Sequence, residues 1–169
     1  MIDAEFHTDL TKRLIDFSQE LRSNPKPDKR GGALFIGSKN LTDNQIILVG
    51  EYDPQKIELY KRFAQEKAHR LLADWFREPS CVSSWQTRDE AMKRYQGAVL
   101  WQDQSSKDPL CNIVSFSGLA EPTDEAISLI NGFYTFGQQN VDYVRAVADV
   151  SKNKVFEELF SGYTLRRAK

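Results

Sequence analysis

The sequence contains no long apolar run and almost no imbalance of charge. No stretch approaches the roughly 20 apolar residues that a transmembrane helix needs, and the opening MIDAEFHTDL carries acids where a signal peptide would be apolar. The 23 lysine and arginine residues against 24 aspartate and glutamate residues leave a net charge of -1. Because that balance provides no strong field for nucleic acid, we expect a cytoplasmic protein that binds neither membranes nor nucleic acid.

Cysteine and histidine are also scarce, with two of each in 169 residues. Cys81 and Cys111 show no CxxC spacing, and His7 and His69 show no paired ligand spacing, so no zinc site is expected. Two free thiols in a reducing compartment are the favoured interpretation, and a single disulfide is the alternative. Cys111 is predicted to be buried in a strand, Cys81 to be exposed in a loop, and His7 to lie on the surface.

What is present is enough apolar sequence for one core, at 40% of the chain. Helical periodicity predicts helices over 3–23, 55–77, 87–95 and 122–136, and a helical tail over 141–160. Apolar runs predict strands over 33–36, 45–49, 97–102 and 110–116, with polar connectors over 38–44 and 103–108. Because the first two strands are continuously apolar, both are expected to be buried on both faces.

The order of these elements predicts the fold class. Two strand pairs joined by short connectors favour an antiparallel sheet, and the long amphipathic helices must then cover its faces. We therefore expect an α+β domain over residues 1–140. Residues 141–169 form a C-terminal helical extension in this interpretation, packing on the domain or on a partner.

Three segments carry a resemblance to a known superfamily. They are the hairpin from Gly32–Ile36 to Ile46–Gly50, the helix Tyr60–Arg70, and Gln96–Leu100 followed by Ile113–Leu119 with its Ser-Gly-Leu turn. Over residues 5–135 the chain resembles the haem-degrading-domain superfamily, which includes GlcG-like, HbpS-like and PduO C-terminal-like proteins. The resemblance implies a profilin-like fold, homo-oligomers, and binding of haem, cobalamin-linked partners or other small molecules.

One departure from that superfamily concerns its pocket. Where the family usually carries a Gly-Gly segment, this chain has Arg94-Tyr95-Gln96-Gly97, with one glycine and a bulky tyrosine. A pocket built around bare backbone would therefore be altered or closed by Tyr95.

The first candidate site lies on the long predicted helix. The resemblance implies that His69 is a haem axial ligand or a polar handle, with Lys67 and Arg70 pairing with propionates. The alternative, which the lone histidine favours, is a solvated residue at the edge of an ordinary helix.

The second candidate site precedes a helix N-terminus. Ser115, Ser117 and Gly118 would present N–H groups and the helix dipole to a carboxylate or phosphate. The alternative, which the local charge favours, is that Asp124 and Glu125 already complement the dipole and repel an anion.

Two functional hypotheses follow. The first is a non-catalytic module that binds a small molecule, with haem as the leading candidate cofactor. The second is an oligomeric interaction or assembly protein without haem, in which the sheet edge, the aromatic residues of the middle of the chain and the tail helix form the interface. The sequence contains no complete catalytic motif, which disfavours an enzyme.

Overall fold

The computed structural model describes residues 3–38, 44–102, 111–136 and 141–167. The elements are α1 (Ala4–Ser18), β1 (Arg30–Ser38), β2 (Gln45–Glu51), α2 (Ile57–Arg77), β3 (Ala98–Gln102), β4 (Cys111–Ser117), α3 (Glu121–Thr135), α4 (Val141–Val150) and α5 (Lys154–Arg167), with a 3-10 turn at Pro54–Lys56. Within these segments no helix combines the length and the apolarity needed to span a bilayer. The predicted cytoplasmic location stays a prediction.

The strands form one antiparallel four-stranded sheet in the order β2-β1-β4-β3. Leu34 of β1 faces Ile47 of β2 on one side and Phe116 of β4 on the other. Alternate strand residues point to opposite faces of the sheet, and helices cover both faces. Ala33 and Phe35 pack with α2, whereas Leu34 and Ile36 pack with α1 and α3 to α5. The predicted α+β class, with helices packed across an antiparallel sheet, is confirmed.

The two apolar strands differ in burial. β1 is central and buried on both faces from Gly31 to Gly37, as predicted. The same expectation for β2 is wrong, since only Val49 of that strand is fully buried. The reason is position, because β2 lies at the edge of the sheet with β1 as its one strand neighbour among the described residues.

The predicted helix over 87–95 is also wrong. Asp89 and Arg94 form an isolated antiparallel bridge, in which the distances from backbone nitrogen to carbonyl oxygen are 2.9 and 2.8 Å. Lys93 sits at φ 55°, a left-handed conformation that ends any helix there. Thr87, the first residue of the predicted helix, accepts a hydrogen bond at its Oγ1 from Arg70. A partner distant in sequence therefore overrides the local helical pattern.

The first helix and the C-terminal tail both differ from the prediction. α1 stops at Ser18 and not at residue 23, because the Asn24 side chain donates to the Ser18 carbonyl at 2.8 Å. The tail forms two helices, since Lys152 adopts φ 54° and Asn153 accepts the Phe156 N–H as a new N-cap. The side chains of this tail that join the main core are Val144, Val147, Ala148, Val155, Phe156, Leu159 and Phe160. The predicted connector over 103–108 lies outside the described residues.

Cys81 and His7 are more buried than the sequence predicts. Cys111 is buried as predicted, but Cys81 is 9% exposed and does not lie open in a loop. Neither cysteine forms a disulfide. The surface position predicted for His7 is wrong, because the ring is 1% exposed and contacts Asn131 Oδ1 at 2.9 Å through Nδ1. Burial lowers the pKa of His7, although the Asn131 hydrogen bond opposes the change.

Candidate functional site

A cleft of about 580 Å³ opens beside the start of α2. Its walls are the segment from Pro25 to Lys29, the first three turns of α2 with Lys56 before them, Tyr95, and the segment from Ser117 to Asp124 that leads into α3. The volume lies within the range of small-molecule sites. The cleft is the candidate functional site of the protein.

The floor of the cleft is an ion pair between Lys67 of α2 and Asp124 of α3. The Lys67 ammonium donates to Asp124 Oδ2 at 2.9 Å and to the Phe116 carbonyl at 3.0 Å. The two side chains are 2% and 4% exposed. A Cβ at Gly97 would stand 2.7 Å from the ammonium, and Gly97 has φ +135°. A glycine at this position therefore makes the room in which Lys67 reaches its partners.

Asp124 is held by contacts inside the protein. Its second carboxylate oxygen, Oδ1, accepts the Leu119 N–H at 2.9 Å, which orders the turn into α3. Burial raises the pKa of the Asp124 carboxyl, and the charges of Lys67 and Lys29 oppose that rise. The carboxylate thus serves to orient the floor of the cleft and the turn beside it.

Glu125 points away from the cleft although it follows Asp124 in the chain. Its carboxylate accepts hydrogen bonds from four neutral side chains, those of Ser83, Gln96, Ser151 and Asn153. Because Glu125 is 0% exposed, burial raises the pKa of its carboxyl. This group, which we name the Glu125 cluster, joins α3 to the loop before β3 and to the link between α4 and α5.

Aromatic rings form one wall of the cleft. Tyr60 and Phe63 lie on α2, and Tyr95 comes from the loop before β3. The Phe63 and Tyr95 rings meet edge to face with centroids 5.5 Å apart, a favourable geometry for an aromatic pair. Tyr95 thus lines this cleft without closing it.

Three of the six predicted site residues come together here. Lys67, Ser117 and Gly118 line the cleft. Gly118 has φ +154°, and a Cβ there would lie 2.3 Å from the Gly31 carbonyl oxygen, so close packing against β1 also requires a glycine. Lys67 sits at the floor, paired with Asp124, a role that the sequence does not reveal.

The other three residues lie elsewhere. His69 is exposed, with its ring edge-on to Phe35 at 5.9 Å between centroids. Ser115 is buried in β4, and its Oγ has no hydrogen-bond partner among the described residues. Arg70 donates to the Tyr95 carbonyl at 2.6 Å and to the Thr87 side chain at 2.8 Å. Its position indicates that Arg70 holds the loop that carries Tyr95.

Sequence reasoning missed the rest of the cleft, although one signal was available. Lys56, Tyr60, Phe63 and Lys67 follow one another at spacings of three or four, which places them on one face of a helix. In the sequence alone, the periodicity of this segment indicates only an amphipathic helix that covers the sheet. Lysines on both sides of a pair of aromatic residues are unusual for a face that packs in a core, and here that face lines the cleft.

No family model matches the chain, and no curated protein matches it. Among solved structures, the chain is similar to one described as "Crystal structure of Ybr137w protein", with 20% sequence identity, a TM-score of 0.42 and coverage of 76% of each chain. A likeness at this level carries no argument about function. The relationship to the haem-degrading-domain superfamily therefore stays a prediction, and the functional interpretation rests on the cleft itself.

Proposed function

We propose that this protein binds a small organic molecule in the cleft between the start of α2 and the turn into α3. The observation that supports the proposal is the composition of the cleft. Aromatic side chains line it together with backbone and charged groups, and the pair of Lys67 and Asp124 fixes its floor. Apolar walls with a few fixed polar groups are typical of small-molecule sites.

Haem remains a candidate ligand, but the cleft fits it only in part. Lysines at the rim could pair with propionates, and tyrosine can ligate haem iron. No histidine is among the described residues that line the cleft, so His69 could not ligate iron from within it. We therefore assign no haem contact, and haemin is one of the probes in the test.

The proposal is tested by filling the cleft. Leu59 lines it and is 37% exposed on α2, so Leu59→Trp would occupy the cleft without disturbing the core. We expect at least one of benzyl alcohol, benzoate, benzylamine and haemin to shift the amide NMR signals of Gly118 to Ala120. Binding should be about tenfold weaker in Leu59→Trp, because the new ring takes the space of the ligand.

The matched control is Glu58→Trp, which adds the same ring at a neighbouring exposed position that does not line the cleft. It should bind as the wild type does. Absence of any saturable shift at Gly118 to Ala120 with all of these probes would contradict the proposed function. Haemin binding that resists Leu59→Trp but is lost in His69→Ala would place haem outside this cleft.

We infer self-association as a second candidate function from the unequal edges of the sheet. The outer side of β3 is covered, since Ser84 N–H donates to the Ala98 carbonyl and Leu100 N–H to the Val82 carbonyl, both at 3.0 Å. The other edge, β2, has no further strand beside it in the described segments, and Ile46 is 37% exposed there. An uncovered edge strand favours pairing with a second chain.

If the protein self-associates, its molar mass from light scattering after size-exclusion chromatography should be a multiple of the 19.4 kDa mass of one chain. Ile46→Lys should convert the assembly to monomer, because a charge on an edge strand opposes pairing. Leu165→Lys, which changes an exposed leucine on α5, should leave the mass unaltered. A wild-type protein that is monomeric at high concentration would exclude this function.

A further inference from the structure

The charges that line the cleft do not cancel. They are those of Lys26, Lys29, Lys56, Lys67, Glu121 and Asp124. Lys67 and Asp124 neutralise each other at the floor, at a distance of 2.9 Å. Glu121 is bound by Arg88, whose Nε and Nη2 lie 2.8 and 3.0 Å from its two oxygens, and Arg88 does not line the cleft. The remaining charge of the cleft is therefore positive.

Three lysines supply that positive charge. Lys26 and Lys29 make no ion pair with an acid in the described ranges, and Lys56 shares a solvent-exposed contact of 3.2 Å with Asp53. Lys29 lines the same cleft as Asp124, and its positive charge opposes the rise in the pKa of that carboxyl. An incoming anion could therefore pair with these ammonium groups at little cost, because an exposed ion pair such as that of Lys56 contributes little to stability.

The start of α3 favours an anion as well. Its N-cap, Ala120, lines the cleft and provides no side-chain cap, so the positive end of the helix dipole faces this space. From the sequence, Asp124 and Glu125 are expected to repel an anion here. In the structure Asp124 is paired with Lys67, and Glu125 is 0% exposed and turned into the Glu125 cluster.

The aromatic wall indicates the body of the ligand. Tyr60, Phe63 and Tyr95 present rings next to the lysines, and Leu59 extends the apolar surface. Rings of this kind stack on or edge against another planar group. A cation alone would be opposed by the lysines, and an inorganic anion would leave the rings without contact.

We propose that the cleft selects an aromatic anion, a molecule with a planar ring and a carboxylate or phosphate head that pairs with Lys26, Lys29 and Lys56 while the ring packs on Tyr60, Phe63 and Tyr95. This inference rests on the proposed function, since it names the class of molecule that the same cleft binds. It assigns the three lysines to recognition of the head group, a role that Lys67 cannot fill while it is paired with Asp124.

The test is isothermal titration calorimetry of the intact protein with phenyl phosphate, benzoate, benzyl alcohol, benzylamine and inorganic phosphate. We expect phenyl phosphate to bind about tenfold more tightly than benzyl alcohol or inorganic phosphate, with an affinity that falls as salt is added. Lys26→Gln combined with Lys29→Gln should weaken phenyl phosphate about tenfold and leave benzyl alcohol unchanged. Lys61→Gln, which changes a partly exposed lysine of α2 outside the cleft, should alter neither affinity.

Three outcomes would overturn the inference. If benzyl alcohol or benzylamine binds in the cleft as tightly as phenyl phosphate, the selection for an anion is wrong, although the proposed function stands. If inorganic phosphate binds as tightly as phenyl phosphate, the aromatic wall has no role in recognition. If no probe binds at all, both the inference and the proposed function fail.

Discussion

Replacing Glu125 with alanine is expected to lower the free energy of unfolding by about 4 kcal/mol. Four buried side chains donate to this carboxylate, including Gln96 Nε2 at 2.6 Å and Asn153 Nδ2 at 2.7 Å. Removing the carboxylate leaves Ser83 and Gln96 without an acceptor inside the protein, and each buried unsatisfied group costs about 1–3 kcal/mol. Ser151 and Asn153 lose one hydrogen bond each but keep the Ala148 and Pro122 carbonyls, at 3.1 and 2.8 Å. The measurement is urea denaturation at pH 7, with the slope of the transition compared between variants.

The matched control is Glu157→Ala on α5. That glutamate is about half exposed and lies 3.8 Å from Arg145, so its removal should cost less than about 1 kcal/mol. A loss of similar size in both variants would show that the Glu125 cluster does not hold the C-terminal helices to the domain. Water entering to satisfy the donors that lose their acceptor would produce such a result.

The strands and the long helices could be predicted because their signals are local. α2 buries Ala64, Ala68 and Leu71 along one stripe, and its periodicity in the sequence carries that information. The failure over 87–95 has the opposite cause. Arg70 binds Thr87 from 17 residues away and fixes a turn where the local pattern predicts a helix. His7 is similar, since its buried partner Asn131 is 124 residues distant.

The cleft could be predicted only in part for the same reason. Ser117 and Gly118 stand next to a helix start, and a turn into a helix is visible in the sequence. Lys29 and Tyr95 reach the same space from separate loops, and nothing local in either loop indicates that they meet. The pairing of Lys67 with Asp124 joins residues 57 positions apart, so the charge that remains in the cleft can be counted only in the folded protein.

Replacing Lys67 with methionine is expected to cost about 4 kcal/mol at pH 7, because it leaves Asp124 buried and without a cation. The loss should depend on pH. Burial already raises the pKa of Asp124, and Lys67 opposes that rise, so the pKa will rise further in the variant. For an acid whose pKa is higher in the folded state, the ionised form destabilises the protein, and the penalty shrinks as pH falls through that pKa. The difference from wild type should therefore narrow between pH 8 and pH 5.

The double variant Lys67→Met with Asp124→Asn separates the charge from the packing. Asparagine keeps an oxygen for the Leu119 N–H, which Asp124 Oδ1 accepts at 2.9 Å, but it carries no charge to bury. We expect the double variant to recover about half of the lost stability at pH 7 and to show no such pH dependence. Lys61→Met, at a partly exposed lysine on the same helix, should change stability by less than about 0.5 kcal/mol. Two results together would contradict this prediction: a loss of stability in Lys67→Met that is the same at pH 5 and pH 8, and no recovery in the double variant. The pair would then act through side-chain packing. The claim that Lys67 and Asp124 neutralise each other, on which the net positive charge of the cleft depends, would be wrong.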